Sequence, residues 1–96
     1  MEQTPPELRE LRAGIDSCDD AIADAVAERV ALAEEVADVK SDRGRDLVDE
    51  EREAAVASGY AERFHERGLD PERGEDLAEL LIAVALEHER TIEEPS

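Results

Sequence analysis

Apolar residues recur between Leu8 and Lys40 at alternating steps of three and four. Leu8, Leu11, Ile15, Cys18, Ile22, Ala25, Arg29, Leu32, Val36 and Val39 form one series, the heptad seam of a single long helix. All are apolar or small except Arg29. Thr4-Pro5-Pro6-Glu7 opens the helix, with Thr4 as the cap, Pro5 at the first helical position and Glu7 completing a capping box. The helix runs to Lys40 or Asp42, a length of about 54 Å at 1.5 Å per residue. A compact domain of this size has a radius of gyration of only about 13 Å. The seam therefore overshoots any monomeric globule, and the pattern predicts an intertwined homodimer.

The remaining chain predicts two shorter helices. Ser41 to Asp46 contains no apolar residue and reads as a loop, after which Leu47 and Val48 re-enter the body. Asp49 caps the second helix, and Glu50 and Glu51 complement its dipole. Val56, Tyr60 and Phe64 mark its inner face, and Gly68 ends it. Asp70-Pro71 repeats the cap-then-proline signal and opens a third helix. That helix is apolar without interruption from Leu80 to Leu86, which predicts burial on more than one side. One of its stripes is Leu77, Leu81 and Val84; another is Ile82, Ala85, Leu86 and Glu89, ending in a carboxyl group. Gly14 and Gly59 fall inside helices at a cost in stability, for which close helix approach is the usual reason. The fold class is all-α, three helices in one domain over residues 1–96, with 1–4 and 92–96 expected to fray.

Charge changes this picture in two ways. The chain carries 28 acidic residues against 11 basic ones, a net charge of -17. Nucleic acid and anionic membranes are therefore excluded as natural partners. The basic set is ten Arg and one Lys, Lys40. With the excess of Asp and Glu, this composition points to a high-salt cytoplasm, where the Debye length is about 3 Å at 1 M. No apolar run is long enough to span a bilayer, and no signal-peptide pattern precedes the first helix. A cytoplasmic location is expected, with Cys18 as a reduced thiol buried in the seam.

The candidate chemistry is a set of cations in apolar company. There is no Gly-rich phosphate loop, and no Ser or Cys has a convincing base beside it. His65 and His88 lie on different helices without a neighbouring Cys, so no metal site is expected. Arg29 sits in the seam, and Lys40 lies eleven residues on, close to three full turns and so on nearly the same face. Arg12 lies near the other end, about 25 Å from Arg29 along the same helix. The two cannot grip one small molecule from the same chain; in an antiparallel dimer, Arg12 of one chain approaches Arg29 and Lys40 of the other. Arg52 lies on the first turn of the second helix. Together these groups suit a small dianion, with guanidinium forks for carboxylates and a point-charge ammonium for one more oxygen. A structural reading stands beside this one, in which Arg29 pairs with a seam glutamate and Arg52 is a surface residue. The retention of a single Lys in an otherwise all-Arg chain favours a task that a guanidinium cannot perform.

Four motifs resemble the all-helical class of chorismate mutases, from about Leu8 to Glu89. They are Leu11-Arg12-x-x-Ile15-Asp16, Ala27-Glu28-Arg29-x-x-Leu32-Ala33-x-x-Val36-x-x-x-Lys40, Asp49-x-x-Arg52-Glu53 and Gly68-Leu69-Asp70. Each is weak alone; their order and spacing are specific. The resemblance implies a Claisen rearrangement of chorismate to prephenate, with no cofactor and no covalent intermediate. It implies that Arg12 of one protomer and Arg29 of the other bind the two substrate carboxylates. Lys40 would hydrogen-bond the ether oxygen and one carboxylate, and Arg52 would support that carboxylate. The Asp49 backbone N–H and Glu53 would hold the ring hydroxyl, and Val36, Ile82 and Leu86 would wall the site. Glu89 stands where members carry Gln or Glu as a second donor to the ether oxygen, and Ala85 where some carry Ser. The absence of a nucleophile agrees with a pericyclic step, which needs a held conformer and positive charge where the C–O bond breaks. An isochorismate-pyruvate lyase resembles the same fold and cation set. A non-catalytic helical dimerisation module is the alternative of a different class.

The high-salt reading has a direct check. Unscreened, the excess negative charge repels itself, so helicity measured by circular dichroism should fall when salt is dialysed from molar to millimolar. Unchanged spectra would contradict it.

Overall fold

The structure, a computed structural model, describes the backbone of residues 4–42 and 50–93 and the side chains of 4–40 and 50–89. Three helices account for almost all of it: α1 (Pro6–Asp42), α2 (Glu50–Glu66) and α3 (Pro71–Glu93). The expected loop from Ser41 to Asp46, apart from the backbone of its first two residues, lies outside the described residues. So do Leu47 and Val48, the cap at Asp49, and the terminal residues 1–3 and 94–96.

The caps follow local chemistry. The Pro5 carbonyl accepts from the N–H of Leu8 and of Arg9, both at 3.1 Å. Pro5 is thus the cap and Pro6 the first helical residue, one step later than Thr4-Pro5 predicts. Pro6 there forfeits no hydrogen bond, because the first N–H groups of a helix have no partner within it. α2 closes at Gly68, with φ at +75°. Leu69 N–H donates to Phe64 C=O at 2.8 Å and Gly68 N–H to His65 C=O at 3.1 Å, the paired bonds of a Schellman motif. Asp70 then caps α3, its Oδ1 accepting from Glu72 N–H at 2.9 Å. α3 continues to Glu93, past the expected end near Thr91.

α3 is the central element. Its buried positions are Gly74, Ala78, Leu81 and Ala85, spaced four, three, four. The expectation of burial on more than one side holds, but the innermost row is made mostly of small residues, and only Leu81 and Ala85 of it come from the predicted apolar stripes. α2 packs along α3 through Val56, Tyr60 and Phe64, which are half-buried as predicted. The closest helix approach lies at Gly74, not at Gly14 or Gly59. A Cβ at Gly74 would fall 2.6 Å from the Tyr60 carbonyl oxygen and 3.0 Å from Phe64 Cγ. One at Gly14 would meet nothing within 4 Å, and one at Gly59 only the Arg63 side chain.

α1 leans on α3 over its second half, and among the described residues it makes no close backbone approach to α2. Its covered face is Val26, Arg29, Val30, Ala33, Glu34, Ala37 and Lys40. The heptad seam does not coincide with this face. A strict 3.5-residue repeat drifts about 20° per heptad around a straight 3.6-residue helix, so the seam leaves this face as it runs toward Val39. Leu32, Val36 and Val39 are more than half exposed as a result. Extended backward at helical spacing, the covered face continues through Ile22, Ile15, Leu11 and Leu8, which are exposed among the described residues. Cys18 is likewise exposed on the single chain, not buried. The molecule is elongated, 62 × 36 × 17 Å with a radius of gyration of 17.9 Å. Among the described residues, no helix is long and apolar enough to cross a membrane.

The Gly74 contact gives a stability prediction. Gly74→Ala forces α2 and α3 apart against the Tyr60 backbone, which cannot rotate away. The expected loss is about 1–3 kcal/mol, read as a lower urea midpoint in molar salt. A midpoint equal to or above the parent's would show that the helices separate at no cost.

Candidate active site

The cavity between the three helices has a volume of about 330 Å³, within the range of small-molecule sites. α1 contributes Arg29, Leu32, Ala33, Val36, Ala37 and Lys40. These stand at steps of three and four from Arg29, so one turn after another presents a side chain to the same space. α2 contributes Arg52, Glu53 and Val56, and α3 contributes Ile82, Ala85, Leu86 and Glu89. Apolar side chains wall the space, and charged groups stand at both ends of the α1 row and on the other two helices.

Three of the eleven basic residues converge here. Lys40 lies in the last turn of α1, where the carbonyl ends of the helix favour a cation. Arg29 is half-buried, and no described carboxylate pairs with it. The alternative of a structural ion pair at Arg29 therefore has no support among the described residues. Arg52 is in the cavity wall, not merely at the surface. Glu53 and Glu89 are half-buried. The arrangement offers two planar forks and one ammonium to a small anion, beside two carboxyl groups that can meet hydroxyl or ether oxygens according to protonation.

Nine of the residues expected from sequence thus share one space: Arg29, Val36, Lys40, Arg52, Glu53, Ile82, Ala85, Leu86 and Glu89. Arg12 is not among them. It is exposed on α1, seventeen residues before Arg29, about 25 Å away along the helix. Asp49 lies outside the described residues. Sequence reasoning did not assign Leu32, Ala33, Ala37 and Val56 to the site. The signal for the first three was available, because they share the helical face of Arg29 and Lys40. Val56 was read only as part of the inner face of α2. His65 is exposed, and His88 approaches Glu34 across the α1–α3 contact.

The family model for chorismate mutase type II matches residues 11–90. The chain belongs to the chorismate mutase type II family. The match spans all three helices and every cavity-lining residue. The chain is similar to the chorismate mutase of Methanocaldococcus jannaschii, at 31% identity over 87 residues, covering 91% of this chain and 84% of that protein. It is also similar to the T-protein of Enterobacter agglomerans, at 38% identity over 71 residues. That match covers 74% of this chain but only 19% of the larger protein's length. No solved structure matches the chain significantly.

Proposed function

We infer that this chain is a chorismate mutase, an isomerase that rearranges chorismate to prephenate as an intertwined homodimer without cofactor. The observation that carries the reading is the convergence of Arg29, Lys40, Arg52 and Glu89 on one apolar-walled cavity, in a chain of this family. The reaction breaks one C–O bond and forms one C–C bond within a single molecule, so no group has to be supplied or removed. What the protein must provide is a compact reactive conformer and stabilisation of negative charge on the departing ether oxygen.

In this reading Arg29 forks one substrate carboxylate, and Arg12 of the partner chain forks the other. Lys40 donates to the ether oxygen and to a carboxylate that Arg52 also supports. Glu53 and the Asp49 N–H hold the ring hydroxyl, and Glu89 donates to the ether oxygen. Val36, Ile82 and Leu86 exclude water, which strengthens each charged contact. Ala85 leaves unmade a contact that a hydroxyl side chain would offer. The dimer is supported by seven large apolar side chains left exposed along α1, from Leu8 to Val39. At about 1 kcal/mol for each half-exposed side chain covered, a partner would contribute several kcal/mol, a large fraction of a domain's net stability of 5–15 kcal/mol. The enzyme is placed in the cytoplasm, where the lone thiol of Cys18 stays reduced, and in molar salt.

The primary test is conversion of chorismate to prephenate by the purified protein in molar salt, with isochorismate in a parallel assay. Pyruvate release from isochorismate alone would replace the reading with a lyase. Lys40→Ala should lose roughly 3–4 kcal/mol of barrier lowering, a rate loss of several hundredfold, while the helices stay formed. Lys40→Arg should also be poor, because the fork is larger and differently shaped. A Lys40→Ala protein within a few-fold of the parent would remove Lys40 from the mechanism.

Arg12 across the interface predicts complementation. Arg12→Ala and Lys40→Ala homodimers should each be nearly inactive. After subunit exchange, a mixed dimer holds one site with both residues intact, and activity should return. A mixture no more active than its components, or a folded monomer by sedimentation, would end the cross-chain role.

Glu89 predicts a pH dependence. An ether oxygen and a carboxylate are both acceptors, so Glu89 helps only when protonated. Activity should fall as pH rises through its pKa in the complex. Glu89→Gln carries a permanent N–H donor and should flatten the profile, with higher activity on the alkaline side. Superimposable profiles for the two proteins would place Glu89 outside the reaction.

A further inference from the structure

A polar contact joins α1 to α3 beside the cavity. His88 Nδ1 meets Glu34 Oε1. Glu34 Oε1 is sealed from solvent and has no hydrogen-bond partner among the described residues, so His88 meets it as an ion-pair contact and not as a formed hydrogen bond, although the two side chains are otherwise 50% and 31% exposed. A bare Nδ1 and a carboxylate oxygen are both acceptors. The contact therefore holds only when the Nδ1 proton is present, as the Nδ1–H tautomer or the imidazolium.

Its position gives it a role. Glu34 follows Ala33 and precedes Ala37 by three residues, and His88 follows Ala85 by three and precedes Glu89. Ala33, Ala37, Ala85 and Glu89 all line the cavity, so the pair stands directly behind its α1–α3 wall. Next to the pair, that wall carries Ala33 and Ala37 from α1 and Ala85 from α3. Small side chains allow close approach but interdigitate little, so they do little to fix the sliding of one helix along the other. An ion-pair contact on a sealed carboxylate oxygen ties one point of α3 to one point of α1.

We propose that His88 and Glu34 are a positioning pair that locks the Glu89 turn of α3 in register with the Arg29–Lys40 stretch of α1. The kinetic part of this proposal rests on the chorismate mutase reading; the structural part does not. Arg29 and Lys40 are both on α1, so loss of the lock should spare substrate binding more than turnover.

The test uses the full chain in molar salt with four variants: His88→Leu, Glu34→Leu, the double His88→Leu/Glu34→Leu, and His88→Asn, which keeps an N–H near the place of Nδ1. His88→Leu leaves the sealed carboxylate oxygen unpaired and should be the least stable. The double variant replaces the pair by apolar contact and should regain the parent's melting temperature. It should still turn over about tenfold more slowly, since loss of register acts on the reacting geometry, with KM changed by less than kcat. His88→Asn should recover most of kcat. Independently of activity, amide hydrogen exchange over residues 82–89 should be faster in the double variant and return toward the parent's in His88→Asn. A double variant with the parent's kcat and the parent's exchange would show that the pair only adds cohesion, and would overturn the proposal. If the parent itself does not convert chorismate, the functional reading fails while the exchange comparison still decides the lock.

Discussion

Among the described residues, α1 has too little to pack against. At about 1.5 Å per residue, its 37 residues extend over most of the molecule's 62 Å length, yet α3 covers only the half from Val26 to Lys40. The same face continues apolar to Leu8 and ends in solvent. A helix with such a face is stable only where the face is covered. The other features of the chain follow from this imbalance. The covered half carries Arg29 and Lys40 and forms one wall of the cavity. The uncovered half carries Arg12, the one proposed substrate-binding cation that does not reach the cavity in its own chain. In the proposed dimer these two facts have one resolution, because the partner that covers the apolar half also brings the missing cation.

α3 sets the geometry between the other two helices. α1 and α2 do not approach each other among the described residues, so the placement of Arg52 and Glu53 relative to Arg29 and Lys40 is the product of two separate contacts with α3. The contact with α2 is tight and is keyed by Gly74 against the Tyr60 carbonyl. The contact with α1 is shorter and runs through Val26, Val30, Ala33 and Ala37. Precision in the site is therefore limited by the second contact, which is where His88 meets the sealed oxygen of Glu34. A reaction driven by positioning and electrostatics, with no covalent step, is sensitive to such slack, since misplacement by about 1 Å can cost 10²-fold in rate.

Much of this was legible in the sequence, and the errors have physical causes. Capping residues are local chemistry, so Thr4-Pro5, Gly68 and Asp70-Pro71 marked the helix ends to within a residue or two. The cation cluster was legible because Arg29, among apolar residues, and the single Lys40 share a face by simple helical arithmetic. The seam and the face that α3 covers separate along α1 because a heptad and a straight helix diverge by about 20° per seven residues. Over 32 residues, from Leu8 to Val39, that drift carries a seam residue off the face. Gly74 was missed because close approach depends on the partner helix, and nothing near Gly74 in sequence names Tyr60. The role of Ala78 was hidden for a related reason: a small residue marks a core only when another backbone comes close to it.

The acidity of the chain and the chemistry of the site are compatible only if range is considered. A dianion approaching a protein of net charge -17 meets repulsion from charges spread over the whole surface. In molar salt that field decays within about 3 Å, while contacts made at hydrogen-bond distance in a water-poor cavity are screened far less. Arg29, Lys40 and Arg52 would then, on the proposed reading, act on the bound anion at close range, and the distant carboxylates would not. On the proposed reading, the salt that permits this acidic chain to fold is the same condition that lets an anionic substrate reach a small cationic site within it.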